Sequence, residues 1–180
     1  MITYSSIIDF WFKELTPKQW FAKDDEFDQL CKDRFGDLLK AAALGECFRW
    51  RETSLGRLAE IIVLDQFSRN IYRDTAEAFA QDAMALVLAQ EAVAHGYDQD
   101  LSDSERGFLY MPYMHSESRR VHEEAVKLFS QPGQEGKLDY ELRHKEIIDR
   151  FERYPHRNAI LGRKSTEEER AFLQQPGSGF

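Results

Sequence analysis

The stretch DDEFDQLCKDRFGDLLKAAALG, residues 24–45, decides the fold class because its apolar residues recur every three or four positions. This spacing places the following residues along one face of a helix: Phe27, Leu30, Cys31, Phe35, Leu38, Leu39 and Ala42. Asp24 or Asp25 can cap the amino end of that helix, and Gly45 can end it. The pattern predicts an amphipathic helix that buries one face against the rest of the chain.

The same helical period continues through most of the remaining chain. Capping-box spacing, which marks helix starts, occurs three times: Asp74-x-x-Glu77, Ser102-x-x-Glu105 and Ser165-x-x-Glu168. Pro112 is expected to end or kink the helix that starts near Ser102. No alternation typical of strands is found, and short links favour antiparallel neighbours. We therefore predict an all-α fold of seven to eight helices in antiparallel pairs.

Composition and charge limit the classes of function. With 180 residues, 42% of them apolar, the chain is expected to form a single all-α domain over residues 1–180. A net charge of −8 argues against nucleic acid and anionic membrane as partners, since both need a basic face. No apolar run reaches the ~20 residues of a membrane helix, and no signal peptide is recognised, so a cytoplasmic location is expected. Glycine-rich phosphate loops and dinucleotide fingerprints are absent from the sequence, which predicts no cofactor.

The dipeptide Arg-Asn occurs twice in similar settings, in LDQFSRNIYRDTAEAF (64–79) and in RYPHRNAILGRKSTEEERAF (153–172). Both copies continue to a further Arg, a Thr, a Glu and finally Ala-Phe, which indicates a pseudo-repeat. One interpretation is that each pair fastens a helix junction by binding free carbonyl groups and acids such as Asp65 or Glu117.

The other interpretation is a site for a carboxylate or phosphate. Arginine forks bind such anions through two parallel hydrogen bonds. In this interpretation Arg69, Arg73 and Arg157 converge on one cleft, with Asn70 and Asn158 beside them. The Arg157→Ala substitution is then expected to abolish anion binding at little cost in stability.

Histidines near these segments are candidates for proton transfer. His115 follows an apolar stretch that contains Pro112, where partial burial could tune its pKa, and Glu117 is a candidate to orient it. His144 lies on an apolar stripe, a setting more typical of a core histidine, and His156 adjoins Arg157. The histidine and acid spacings match no familiar helical metal site, so no metal is predicted.

Five longer motifs resemble a bacterial family, domain of unknown function 924. They are FWF (10–12), WFAKDDEFD (20–28), GRLAEIIVLDQFSRNIYRDTAEAFAQD (56–82), ERGFLYMPYMHSES (105–118) and RYPHRNAILGRKSTEEE (153–169). The resemblance implies a tetratricopeptide-repeat-like superhelix of stacked helix pairs, and it implies no reaction. The chain departs from the family pattern at Ser68, usually Pro, and at Lys145-Glu146, usually Arg-Asp; His122 is not part of that pattern.

Two main functions follow from these residues. The favoured one is a tetratricopeptide-like binding module whose groove holds a peptide or an anionic small molecule. The alternative is an enzyme that acts on a carboxylate- or phosphate-bearing small molecule, with His115 as general acid or base. A third interpretation is a structural or oligomerisation protein. The predicted ligand-binding residues are Asp65, Arg69, Asn70, Arg73, His115, His144, His156, Arg157 and Asn158.

Overall fold

Helices account for most of residues 2–179, the part of the chain that the computed structural model describes. The α-helices are α1 (Tyr4–Asp9), α2 (Asp25–Ala43), α3 (Ser54–Ile62), α4 (Ser68–Ile71), α5 (Asp82–Ala94), α6 (Asp103–Met114), α7 (Arg119–Phe129), α8 (Glu135–Phe151) and α9 (Glu167–Leu173). Short 3-10 turns lie at Phe48–Glu52, Ala76–Phe79, Tyr97–Asp100 and Pro155–Arg157. The described residues contain no strand, and the predicted all-α fold is confirmed.

Two π-helical turns, Phe10–Glu14 and Val63–Phe67, change the hydrogen-bond period of the helices that contain them. The first continues α1, and the second joins α3 to α4 in one rod. Counted in this way, residues 2–179 contain eight helical rods, within the predicted range of seven to eight. Isolated π turns accommodate an extra residue in a helix and are frequent at functional sites.

Several predicted helix ends are confirmed. The Asp24 carboxylate accepts hydrogen bonds from the Glu26 and Phe27 amides at the start of α2, and Gly45 has a φ of 76° just after its end. Ser102 and Glu105 form the predicted reciprocal capping box of α6. The capping side chains accept hydrogen bonds from free amide groups at the start of each helix, and the glycine adopts the left-handed conformation that ends one.

Three predicted boundaries are wrong. Asp74 has a φ of 60° and does not cap a helix; a 3-10 turn follows Thr75, and α5 begins at Asp82. The last capping box joins Thr166 to Glu169, one residue later than predicted. Helix α6 runs through Pro112 to Met114, so the proline does not end it; a kink at Pro112 stays a prediction.

The main apolar core is built from α1 to α3 and α5 to α7, and Trp11, Phe67 and Phe108 meet edge to face inside it. A smaller core contains Ile147, Ile148 and Tyr154. Helix α5 packs on α6, α6 on α7 and α7 on α8. No helix of the described residues is both long and apolar enough to cross a membrane. The stacking of these helices into a superhelix stays a prediction.

Candidate active site

Asp65 and His115 form a hydrogen-bonded pair between the π turn and the carboxyl end of α6. All five residues of the π turn are buried, and Asp65 is 1% exposed. The Asp65 Oδ1 atom lies 2.7 Å from Nδ1 of His115, and Asp65 Oδ2 accepts a hydrogen bond of 2.7 Å from the side-chain amide of Gln66. Asp65, and not Glu117 as predicted, therefore orients the imidazole.

The protonation state of this pair follows from its surroundings. Burial alone would raise the pKa of Asp65, but interactions with His115 and Arg69 hold that pKa below its usual value. Burial and the Arg69 guanidinium lower the pKa of His115. At neutral pH the carboxylate is thus ionised and the imidazole neutral, so the proton sits on Nδ1 and is donated to Asp65. The Nε2 atom then carries a lone pair, and it receives no hydrogen bond from residues 2–179.

Arg69 and Arg157 meet at one carboxylate, that of Asp82 at the start of α5. Arg69 donates to both Asp82 oxygens, at 2.7 and 3.0 Å, and also to Asp65 Oδ1 at 3.2 Å. Arg157 donates to Asp82 Oδ2 at 3.4 Å and to the backbone carbonyl of His115 at 3.0 Å. The two Arg-Asn segments therefore bring their arginines together, and the acid that joins them lies in neither pair.

Two aromatic rings hold the Arg157 guanidinium. Its central carbon lies 4.5 Å from the Phe79 ring centroid and 4.6 Å from that of Tyr154. The residue is 6% exposed, and its buried Nε has no hydrogen-bond partner within residues 2–179. Burial and the nearby Arg69 lower the pKa of Arg157. The rings fix the plane of the guanidinium, so only its edge can bind an anion.

The structure does not bring Asn70 and Arg73 to this cluster. Both donate to the Asp28 carboxylate on α2, Asn70 at 2.8 Å and Arg73 through Nε and a terminal nitrogen. No contact within the described chain joins Arg73 to Arg157. The predicted convergence of three arginines is therefore wrong for Arg73, which fastens α4 to α2.

Glu117 and Asn158 hold the segment that carries Arg157. Glu117 accepts two hydrogen bonds from Arg163, at 2.7 and 2.9 Å, and one of 2.7 Å from the Tyr154 amide. Asn158 accepts from Arg163 Nε at 2.9 Å. These contacts match the fastening interpretation of the second Arg-Asn pair for its asparagine, while its arginine reaches Asp82.

His144 and His156 lie around Tyr154 rather than at the dyad. Their ring centroids are 5.8 and 5.6 Å from that of Tyr154, and His144 Nδ1 donates to the Tyr140 carbonyl at 2.7 Å. Burial lowers the pKa of His144 to about 3 and that of His156 to about 4. Both are neutral at pH 7, and they border the tyrosine that stacks on Arg157.

Sequence reasoning gave no role to a second buried pair, His122 and Glu141. Both side chains are fully buried, and His122 Nδ1 lies 2.6 Å from Glu141 Oε1. His122 Nε2 lies 2.8 Å from the Ser116 carbonyl, which can only accept, so that nitrogen carries a proton. Each residue occupies an apolar helix face, His122 with Ala125 and Glu141 with Ile148, and that placement is the signal that could have identified them.

Two surface depressions lie away from the dyad. One of about 600 Å³ lies between α7 and α8 and includes Val126 and Leu142. The other, of about 240 Å³, is lined by Asn70 and Arg73 among others. Neither is lined by His115, and residues 2–179 contain no group of three or more His, Cys, Asp or Glu side chains placed to hold a metal ion.

Together the fold and the cluster define an all-α protein with a buried polar centre, in which a histidine–aspartate dyad adjoins two arginines on a shared acid. The chain belongs to the family described as "Bacterial protein of unknown function (DUF924)", whose model matches residues 7–177. The chain is similar to a solved structure, "Structure of Protein of Unknown Function ATU0120 from Agrobacterium tumefaciens", with 42% sequence identity and a TM-score of 0.90. The aligned region covers 95% of this chain and 96% of that chain. No curated protein matches the chain.

Proposed function

We propose that the chain is an enzyme that uses His115 as a general base on a carboxylate- or phosphate-bearing small molecule. The observation that carries this proposal is the 2.7 Å contact of His115 Nδ1 with Asp65, which leaves the Nε2 lone pair without a partner in residues 2–179. Such a tautomer, held by a buried carboxylate, is the arrangement by which a histidine removes a proton from a substrate.

Access and charge support the same proposal. The His115 side chain is 16% exposed, so a small molecule can approach its edge, whereas Asp65 is shielded from water. Arg69 and Arg157 lie next to the dyad and are paired with the carboxylates of Asp65 and Asp82, so a substrate carboxylate or phosphate would bind here by replacing Asp82. During the reaction Asp65 would stabilise the imidazolium that forms when Nε2 accepts a proton.

A groove for a peptide has less support. The larger surface depression is lined by residues of α7 and α8, none of which is a predicted ligand-binding residue. A small molecule that reaches one imidazole edge fits this geometry better than an extended chain.

The test is a turnover screen with a panel of small carboxylates and phosphate esters in D2O, followed by proton NMR. This readout detects bond cleavage, isomerisation and exchange of carbon-bound hydrogen without a prior choice of reaction. We expect the wild type to convert at least one compound, and His115→Gln to lose about 100-fold or more of that rate.

A matched control keeps the result specific. His95 is exposed at the end of α5 and lies outside the cluster, so His95→Gln should retain the wild-type rate. Equal rates for His115→Gln and the wild type would reject His115 as the base. A panel without any turnover, combined with saturable binding that survives His115→Gln, would favour a binding module instead.

A further inference from the structure

We infer that the space between the Arg69 and Arg157 guanidinium groups is a carboxylate-binding site, that Asp82 occupies it in this structure, and that a substrate carboxylate displaces Asp82 from it. This inference rests on the proposed function for the identity of the ligand as a substrate. The existence of the anion site itself does not depend on catalysis.

The contacts of Asp82 are those of a planar anion held between two forks. Arg69 binds both of its oxygens, and Arg157 reaches one of the same oxygens from the other segment. The carboxylate is thus held mainly by Arg69, because its bond to Arg157 is long at 3.4 Å. An anion with the same plane and more freedom of position could engage both guanidinium groups closely.

Arg157 has unused capacity for such a ligand. The Nε atom of Arg157 is buried without a hydrogen-bond partner in residues 2–179. The rings of Phe79 and Tyr154 hold the guanidinium in its orientation. A buried N–H group without an acceptor costs free energy, and a ligand carboxylate that accepted this hydrogen bond would remove that cost. The remaining close contact of Arg157, to the His115 carbonyl, ties the anion site to the catalytic histidine.

Charge balance explains why Asp82 lies between the two arginines. The cluster of Asp65, Asp82, Arg69 and Arg157 has two negative and two positive groups, and removal of Asp82 would leave one positive charge in a mostly buried place. Asp82 is 19% exposed and is the first residue of α5, after the connection that follows the 3-10 turn. It can therefore move toward solvent when another carboxylate takes its place.

The test is chemical rescue of Asp82→Ala with formate, which replaces the deleted carboxylate, at constant ionic strength against chloride. We expect Asp82→Ala to lower the Tm and formate to raise it saturably, by roughly 5 °C at concentrations far above Kd. The wild type should show a saturable rise only at much higher formate concentrations, because formate must displace Asp82 from the site. A second readout is the His115 ring in NMR, whose signals should move with the same Kd as the Tm.

The outcomes separate clearly. Loss of the formate response in Asp82→Ala/Arg157→Gln, with retention in Asp82→Ala/Arg73→Gln, supports the site. No saturable response in Asp82→Ala, an equal response in the wild type, or a response that survives Arg157→Gln would overturn it. If Asp82→Ala does not fold without formate, Asp82→Ser provides the same titration in a variant with a polar side chain. Because formate binding needs no turnover, its failure is distinguishable from failure of the turnover screen.

Discussion

The guanidinium group of Arg157 connects three segments of the chain. It lies between Phe79 and Tyr154, binds the backbone of His115 and reaches Asp82. A residue that served only to bind a ligand would have few such contacts, so Arg157 also has a structural role. The expectation that its removal costs little stability does not agree with this environment.

We predict that Arg157→Ala lowers the free energy of unfolding by about 3 kcal/mol, because it removes a buried charge from its partners and a cation from between two rings. Urea unfolding at pH 7.5 measures this change. Arg120, exposed on α7, is the matched control, and Arg120→Ala should stay within about 0.5 kcal/mol of the wild type. Equal stability of the two variants would show that the stacked position contributes nothing.

At this scale the sequence identified the residue types and missed their partners. Asp65, Arg69, His115 and Arg157 were all candidates, and all four lie in the cluster. Asp82 was not a candidate, since it lies 13 positions after Arg69 and 75 before Arg157, and helical periodicity relates only residues of one helix. The orienting role went to Asp65 instead of the nearer Glu117 for the same reason: neighbours in space are set by packing.

At the scale of elements, two helical glycines differ in whether a side chain would fit at their positions. A Cβ on Gly56, in α3, would lie 1.9 Å from the Trp50 carbonyl oxygen, so this glycine lets the turn Phe48–Glu52 approach the helix. A Cβ on Gly36, inside α2, would meet nothing within 4 Å. Space forbids a side chain at one position and permits it at the other.

We therefore predict opposite signs for the same substitution. Gly56→Ala should destabilise the protein by about 2 kcal/mol or more, because the contacted atom belongs to the backbone and must move. Gly36→Ala should stabilise it by about 0.5–1 kcal/mol through helix propensity. Thermal unfolding of the two variants beside the wild type checks both values, and a stabilised Gly56→Ala would contradict the close approach.

Helices were predicted well because each has its own apolar stripe and local cap, as α2 has between Asp24 and Gly45. Boundaries were less certain where the sequence offers two equivalent signals. Ser165-x-x-Glu168 and Thr166-x-x-Glu169 have the same spacing, and only packing selects the second, where Glu169 also binds Arg153. The π turns have no local signature of this kind.

At the scale of the whole molecule, buried neutral histidines make stability depend on pH. The folded state holds the pKa of His144 at about 3 and that of His156 at about 4, both below the unfolded value of about 6.5. As the pH falls below about 6.5, the unfolded chain gains protons that the folded state refuses. Stability is therefore fully present above that value and is lost as the pH approaches 4.

We expect each of these histidines to account for a loss of about 2 kcal/mol between pH 7.5 and 5.0. His144→Asn, whose amide can still donate to the Tyr140 carbonyl, should reduce the pH-dependent loss by this amount. Urea unfolding at the two pH values measures it, with exposed His95→Asn as the control that keeps the wild-type difference. An unchanged difference in His144→Asn would mean that His144 protonates in the folded state.

The π turn at Val63–Phe67 has a further consequence for the rod that contains it. Each residue of an α-helix advances the chain by about 100° around the axis, and a π turn takes up one extra residue within an otherwise regular helix. Without that residue, α3 could still bury the same apolar face. Arg69, which follows the π turn, would then point about 100° away from Asp82. The length of this rod, counted in residues, therefore sets the angular phase between the half that packs in the core and the half that carries Arg69.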